Sequence, residues 1–192
     1  PAAPWSEHRL GRIAEAFLAR GLRVEPIAFA EESADDLLRT MLSLDAVLVW
    51  VDPIVGGRDR SVLDCLLRDV SARGVAVSAH PDVILKMGTK DVLVRTRDMA
   101  WGSACRMMSS PAELHAQLPR LLAEGSWVLK QHRGSQGDGV WKVEAAGNEG
   151  GAQLIRVLHA RRGSSLEELP LEGFIERCGP YFAGDGCMIA QP

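Results

Sequence analysis

Residues 127–144 read WVLKQHRGSQGDGVWKVE. Two runs rich in valine, leucine and tryptophan flank a segment that holds Gly134, Gly137 and Gly139, the pattern of strand, glycine-rich loop and strand. Side chains alternate along a strand, so Val128 and Lys130 share one face while Trp127, Leu129 and Gln131 share the other. A lysine in the middle of an apolar strand requires a partner for its charge. Polyphosphate is one candidate, and a carboxylate such as Glu144 or Glu176 is another. The glycines have two readings. They permit positive φ in a long hairpin turn, or they let backbone N–H groups approach phosphate oxygens beside a lysine. A Walker loop and a dinucleotide fingerprint both run from a strand into a helix. This loop returns to a strand, and its lysine precedes the glycines, so both are excluded.

Outward from this hairpin, the second half of the chain reads as antiparallel α+β. SPAE (110–113) combines a capping serine, a proline at the first helical position and a capping-box glutamate. The helix it starts carries Leu114, Leu118, Leu121 and Leu122, contains Pro119 and ends at Gly125. HPDVILKMG and TKDVLVRT are short helical candidates. AAGNEGGAQ reads as a loop, LIRVLHARRG as a strand, the stretch from Ser165 to Cys178 as helical, and CMIAQ as a closing strand.

The first half has a different rhythm. Ser6 is placed to cap a helix with apolar positions Leu10, Ile13, Ala14, Phe17 and Leu18, ended by Gly21. Residues 22–30 read as a strand, and Ser33 with Asp36 resembles a capping box before Leu37, Leu38, Met41 and Leu42. Residues 46–51, AVLVWV, form a continuous apolar run expected of a strand buried on both faces. A helix over 61–74 and a short strand VAVSA follow. This βαβα order predicts a parallel sheet covered by helices, with a boundary near Gly88. The expected organisation is an α/β front domain over 1–88 and an α+β unit over 89–192.

Composition narrows the function classes. The 192 residues are 46% hydrophobic and 24% charged, with a formal net charge of −3. No basic run marks a nucleic-acid surface, no apolar run approaches the ~20 residues of a membrane helix, and no signal-peptide pattern opens the sequence. The four cysteines, Cys65, Cys105, Cys178 and Cys187, form no CxxC pair, and the five histidines show no metal-ligand spacing. Reduced thiols in the cytoplasm are the expectation. The opening Pro1 and the closing run CMIAQP lead us to expect a fragment or trimmed flanks.

Three motifs carry a resemblance. KMGTK places Lys90 just after the front domain; VLKQHRGSQGDGVWKV joins a strand lysine to a glycine-rich flap; CMIAQ is an apolar strand. Together they resemble the ATP-grasp superfamily, of the glutathione synthetase ATP-binding-like kind. VLKQHRG…GVWKV and WGS at Trp101 to Ser103 come closest to a bacterial group of ATP-grasp-like proteins. The resemblance implies a Rossmann-like parallel-sheet front domain followed by the antiparallel α+β small subdomain, with the large subdomain absent from this chain and the first front-domain strand missing before Pro1. It implies an ATP-dependent carboxylate ligase that works through an acyl phosphate, or a non-catalytic nucleotide-binding or regulatory relative. Lys90 and Lys130 would neutralise phosphates. Arg133, Gly134, Ser135, Gln136, Gly137 and Gly139 would form the flap. Ile189 and Gln191, with Met188 beside them, would lie at the adenine hinge. Partners would be ATP and a small carboxylic acid, and a homodimer is compatible. Magnesium is implied too, with its ligands outside this chain. The bland alternatives stand beside these roles: an ion pair for Lys130, a solvated first-turn lysine for Lys90, mobile flap side chains, and a turn at Asp52-Pro53.

Overall fold

The computed structural model describes residues 9–55 and 58–192. Ser6, the expected cap of the first helix, and His8 lie outside the described residues. Helix α1 (Gly11–Leu18) and helix α2 (Ala34–Leu42) precede strand β1 (Ala46–Leu48). Strands β2 (Ile54–Val55) and β3 (Arg58–Asp59) form a small antiparallel ribbon, and helix α3 (Ser61–Ala72) leads to strand β4 (Ala76–Ser78). β1 and β4 pair in parallel, with Val47 opposite Val77.

The front half therefore has the expected parallel pairing, but as a sheet of two strands. Residues 22–30 form no strand. Pro26 offers no N–H to a ladder, although Ile27 and Phe29 still pack on the front core of Leu37, Met41, Leu63, Leu67 and Val70. The expectation that residues 46–51 are buried on both faces also fails. Val47, Val49 and Val51 turn toward α2 and α3, whereas Leu48 and Trp50 are each 60% exposed. The strand ends at Leu48 because β4 offers no partner beyond Ser78. The Ser33 capping box is not made: its hydroxyl donates back to the Ala30 carbonyl at 3.1 Å, inside a 3-10 turn over Glu31–Ser33.

Helices α4 (Pro81–Met87) and α5 (Val92–Arg95) connect to the second half. There, strand β5 (Arg106–Met108), helix α6 (Pro111–Glu124), strands β6 (Trp127–Gln131), β7 (Val140–Glu149), β8 (Ala152–His159) and β9 (Glu167–Pro170), helix α7 (Leu171–Cys178) and strand β10 (Met188–Gln191) follow. The six strands pair antiparallel in the order β5-β10-β6-β7-β8-β9. The overall class is mixed α/β, with a small parallel sheet and a larger antiparallel one.

Several second-half expectations change. β5 carries no strong sequence signal and forms because the first residues of β10 need a partner on their outer edge. The stretch AAGNEGGAQ is mostly strand: β7 and β8 continue to a turn at Gly150–Gly151, with a bulge between Ala145 and Gly147. Residues 167–170 form an edge strand before the helix begins at Leu171, since Pro170 suits an edge and cannot continue a helix backward. α6 starts as expected. Ser110 Oγ accepts from the Glu113 N–H at 3.2 Å, while Glu113 Oε2 accepts from the Ser109 N–H at 2.8 Å, one residue before the usual position. The helix runs through Pro119 unbroken.

The two faces of the large sheet have opposite fates. Trp127, Leu129, Trp141, Val143, Ile155, Val157, Met188 and Ala190 lie under α6 and α7 as one core. The other face carries Val128, Lys130, Lys142 and Leu158, and near β10 it is covered where Leu93 and Val94 of α5 sit on Cys105, Cys187 and Ile189. All four cysteines are free thiols, and burial pushes the Cys178 thiol up to about 12. Among the described residues no helix is long and apolar enough to cross a membrane. Because Leu129 is wholly buried and Leu158 is 37% exposed, Leu129→Ala should cost about 2–5 kcal/mol and Leu158→Ala no more than ~1 kcal/mol. Urea unfolding midpoints measure both, and equal losses would mean the two faces are not distinguished as described.

Candidate functional site

The site is built where the turn between α4 and α5 meets the end of β6. The Lys90 N–H donates to the His132 carbonyl at 3.2 Å, and the His132 N–H donates to the Cys187 carbonyl at 2.8 Å. These bonds hold Lys90 beside the open face of the sheet. Lys130 projects from that same face, as its alternation with Leu129 and Gln131 requires. Its ammonium donates to Gln191 Oε1 on β10. Neither Glu144 nor Glu176 is its partner, and Glu144 pairs instead with Lys142. Burial, and then the charge of Lys130, push the Lys90 ammonium below its usual range. Among the described residues neither lysine has a carboxylate partner. The nearest acid in sequence, Asp91, is already engaged. Burial would raise its carboxyl, but hydrogen bonds from Thr89, Arg95 and His132 outweigh that and hold it below the usual carboxylate range.

A cavity of about 350 Å³ opens next to Lys90. Its floor is the carboxyl end of the parallel pair, with Val49 to Pro53 after β1 and Ala79 after β4. This is where open α/β sheets bind ligands. Its far wall is Gly88 to Lys90 together with His132, Arg133 and Gly134. Asp52 and Pro53 thus line the cavity, with a bend at Pro53. Arg60 closes one side. Its Nε donates to buried Asp64 at 2.8 Å and its Nη1 to the Val51 carbonyl at 3.1 Å. Arg133 Nη2 lies 3.6 Å from the other Asp64 oxygen. The sequence reading missed Arg60, Asp64, Asp91 and His132. The spacing of Arg60 and Asp64 permits an ion pair on one helix face, but nothing local marks that pair as buried.

The flap folds on itself. The Gln131 N–H donates to the Gly139 carbonyl at 2.7 Å, and Gln131 Nε2 donates to the Asp138 carbonyl at 3.0 Å. Asp138 N–H donates to the Ser135 carbonyl at 2.9 Å, and Arg161 holds the Asp138 carboxylate at 2.6 Å. Gln136 is the exposed tip, at φ 52°. Gly137 and Gly139 have φ of 81° and 61°, and a Cβ at either would meet the Ala160 carbonyl or the Gln131 side chain at 2.5–2.6 Å. Close packing, of Gly139 on Gln131 within the hairpin and of Gly137 on Ala160 just after β8, is sufficient reason for these two glycines.

The structure brings Lys90, Lys130 and Gln191 together, and sets Arg133 and Gly134 on the neighbouring cavity. Ser135, Gln136, Gly137 and Gly139 form the hairpin tip. Ile189 stands apart. Its side chain is fully buried against Leu93, Val94, Cys105 and Cys187, and β10 is paired on both edges, so it presents no surface to a ligand. Met188 is likewise core, under the opposite face. Trp101 is 71% exposed. His80 caps α4 through Nδ1, which accepts from the Asp82 N–H. Comparison of the chain with protein-family models finds no match, and comparison with curated proteins finds none either. Among the described residues no group of three or more His, Cys, Asp or Glu side chains is placed to hold a metal.

Two outcomes follow from this geometry. The folded state lowers the Lys90 pKa below 10.5, so the unfolded chain holds that proton more tightly, and stability rises with pH through the lowered value. Lys90→Met should therefore be more stable than the parent at neutral pH, with the advantage shrinking as pH approaches 10.5. Urea midpoints across that range measure it, and a less stable variant at neutral pH would mean that burial and the charge of Lys130 do not penalise the Lys90 ammonium. Gly137→Ala should cost about 1–3 kcal/mol and speed amide exchange in β7 near the flap. Unchanged exchange would show that Ala160 does not pin the loop.

Proposed function

We propose that the open face of the antiparallel sheet is a polyphosphate site, and that the chain is the ATP-binding part of an ATP-dependent carboxylate ligase of the ATP-grasp type. The observation that carries this reading is the lysine pair. Lys90 and Lys130 are partly buried and without a carboxylate partner among the described residues, and burial first, then the charge of Lys130, lowers the Lys90 pKa. Two such ammonium groups repel each other at a place where water is scarce. A bound polyanion removes that cost.

On this reading the front half is a Rossmann-like unit, the second half is the small subdomain, and the hairpin at Gly134 to Gly139 closes over the phosphates. A carboxylate oxygen would attack the γ-phosphorus as the bond to the bridging oxygen breaks and ADP leaves. An amine or thiol would then add to the acyl carbon and expel phosphate. The lysines would stabilise the charge that develops on the transferred group, and the hairpin would exclude water. The residues present suit phosphate. They do not suit magnesium, because no carboxylate cluster accompanies the lysines among the described residues, and no step is drawn through that ion. The partners would be ATP and a small carboxylic acid in the cytoplasm. A purely structural hairpin is the second reading, favoured by the close packing of Gly137 and Gly139.

Calorimetric titration of Mg-ATP into the parent and into Lys130→Ala separates the two. The ligase reading expects saturable binding and a loss of tenfold or more in the variant, about 1.4 kcal/mol. Equal affinities, or no binding by the parent, would leave only the structural hairpin.

A further inference from the structure

The cavity at the ends of β1 and β4 contains charges that the polyphosphate reading does not use, and we propose that Arg60 and Arg133 clamp the carboxylate of a small aliphatic monocarboxylic acid there. Arg60 is only 6% exposed, yet its Nη2 has no hydrogen-bond partner among the described residues. Arg133 Nε and Nη2 are buried and also lack one. The 3.6 Å gap from Arg133 to Asp64 is an ion-pair distance and not a hydrogen bond. Asp64 is thus shared by two guanidinium groups, bonded well to one and loosely to the other. Asp59 acts on Arg133 through charge only, so three N–H-bearing guanidinium atoms are left without an acceptor.

Native proteins seldom leave buried donors of this kind without an acceptor. A planar guanidinium fork matches a carboxylate, and it does so better than an ammonium would. Both arginines line the cavity of about 350 Å³, within the range of small-molecule sites. Val49, Ala79 and Ile84 supply apolar wall, and Asp52 adds a negative charge at the lining. That carboxylate opposes a second anionic group on the ligand, which selects a monoacid over a diacid or a phosphate dianion. Lys90 lines the cavity and also feels the charge of Lys130, so one lysine adjoins both sites. The acid would also join the two halves of the chain, since Arg60 follows the β2–β3 ribbon and Arg133 opens the flap. Its role as the acid to be activated rests on the ligase reading. Its binding does not.

The test follows the Arg Nε–Hε resonances of the purified chain by NMR during separate titrations with 2-methylpropanoate, inorganic phosphate and Mg-ATP. The expected result is a saturable shift of the Arg60 and Arg133 signals with 2-methylpropanoate at millimolar concentration. Arg133→Gln and Arg133→Lys should each weaken that binding tenfold or more, because both lose the fork and one of them keeps the charge. No shift in the parent at these concentrations overturns the proposal. A response to phosphate alone overturns it as well, as does unchanged binding in a folded Arg133→Gln. If either variant fails to fold, the parent resonances decide. Failure of Mg-ATP to bind while 2-methylpropanoate shifts the arginines would end the ligase reading and leave this site standing.

Discussion

The pairing of β6 with β10 is the constraint on which the site and the larger core depend. It joins residues 61 positions apart at Lys130 and Gln191, a contact that costs considerable chain entropy to close. The register sets Ile189 opposite Lys130 and Ala190 opposite Leu129. Leu129 and Ala190 then drop under α6 and α7, while Lys130 and Gln191 meet on the open face. A slip of one residue would exchange those fates, putting an ammonium into the core and a leucine into water. Apolar burial therefore fixes where the lysine stands, and the site inherits its precision from the core beneath it.

The same pairing carries the junction with the front half. Beyond the last β6 residue, His132 continues the ladder to Cys187, and its carbonyl takes the Lys90 N–H. The turn between α4 and α5 is thereby tied to the sheet, and the cation that it carries is held near a second cation. Asp91 does not relieve that repulsion, since its oxygens go to Thr89, Arg95 and His132. Unrelieved charge at a partly buried position is a common mark of a binding site.

Across the junction the chemistry is arginine rather than lysine. Arg60 and Asp64 belong to the front half, Arg133 to the flap, and only the folded chain makes them one cluster. The hairpin is thus anchored at both ends of its loop, by Arg133 toward Asp64 and by Asp138 toward Arg161. Whatever closes over a ligand here moves against these two contacts.

Much of this was written locally. The period-two alternation in WVLKQ assigned Leu129 inward and Lys130 outward before any partner strand was known, and Ser110, Pro111 and Glu113 marked the start of α6 within the first turn that they satisfy. The flap glycines announced a tight connection between two strands. What sequence alone could not decide was everything that depends on a distant neighbour. Residues 46–51 are apolar throughout, yet Leu48 and Trp50 face outward, since among the described residues no helix is packed on that side. β5 and β9 are short edges that exist because β10 and β8 have free backbone to pair. Ile189 is core because α5 folds back over it. The burial of the Arg60–Asp64 pair, and the approach of Arg133 to it, come from the docking of one half on the other. Local pattern sets which face of an element is apolar, but only tertiary packing sets what lies against it. For charged side chains that surrounding dielectric and partner set decide whether they are solvated, paired or left waiting for a ligand.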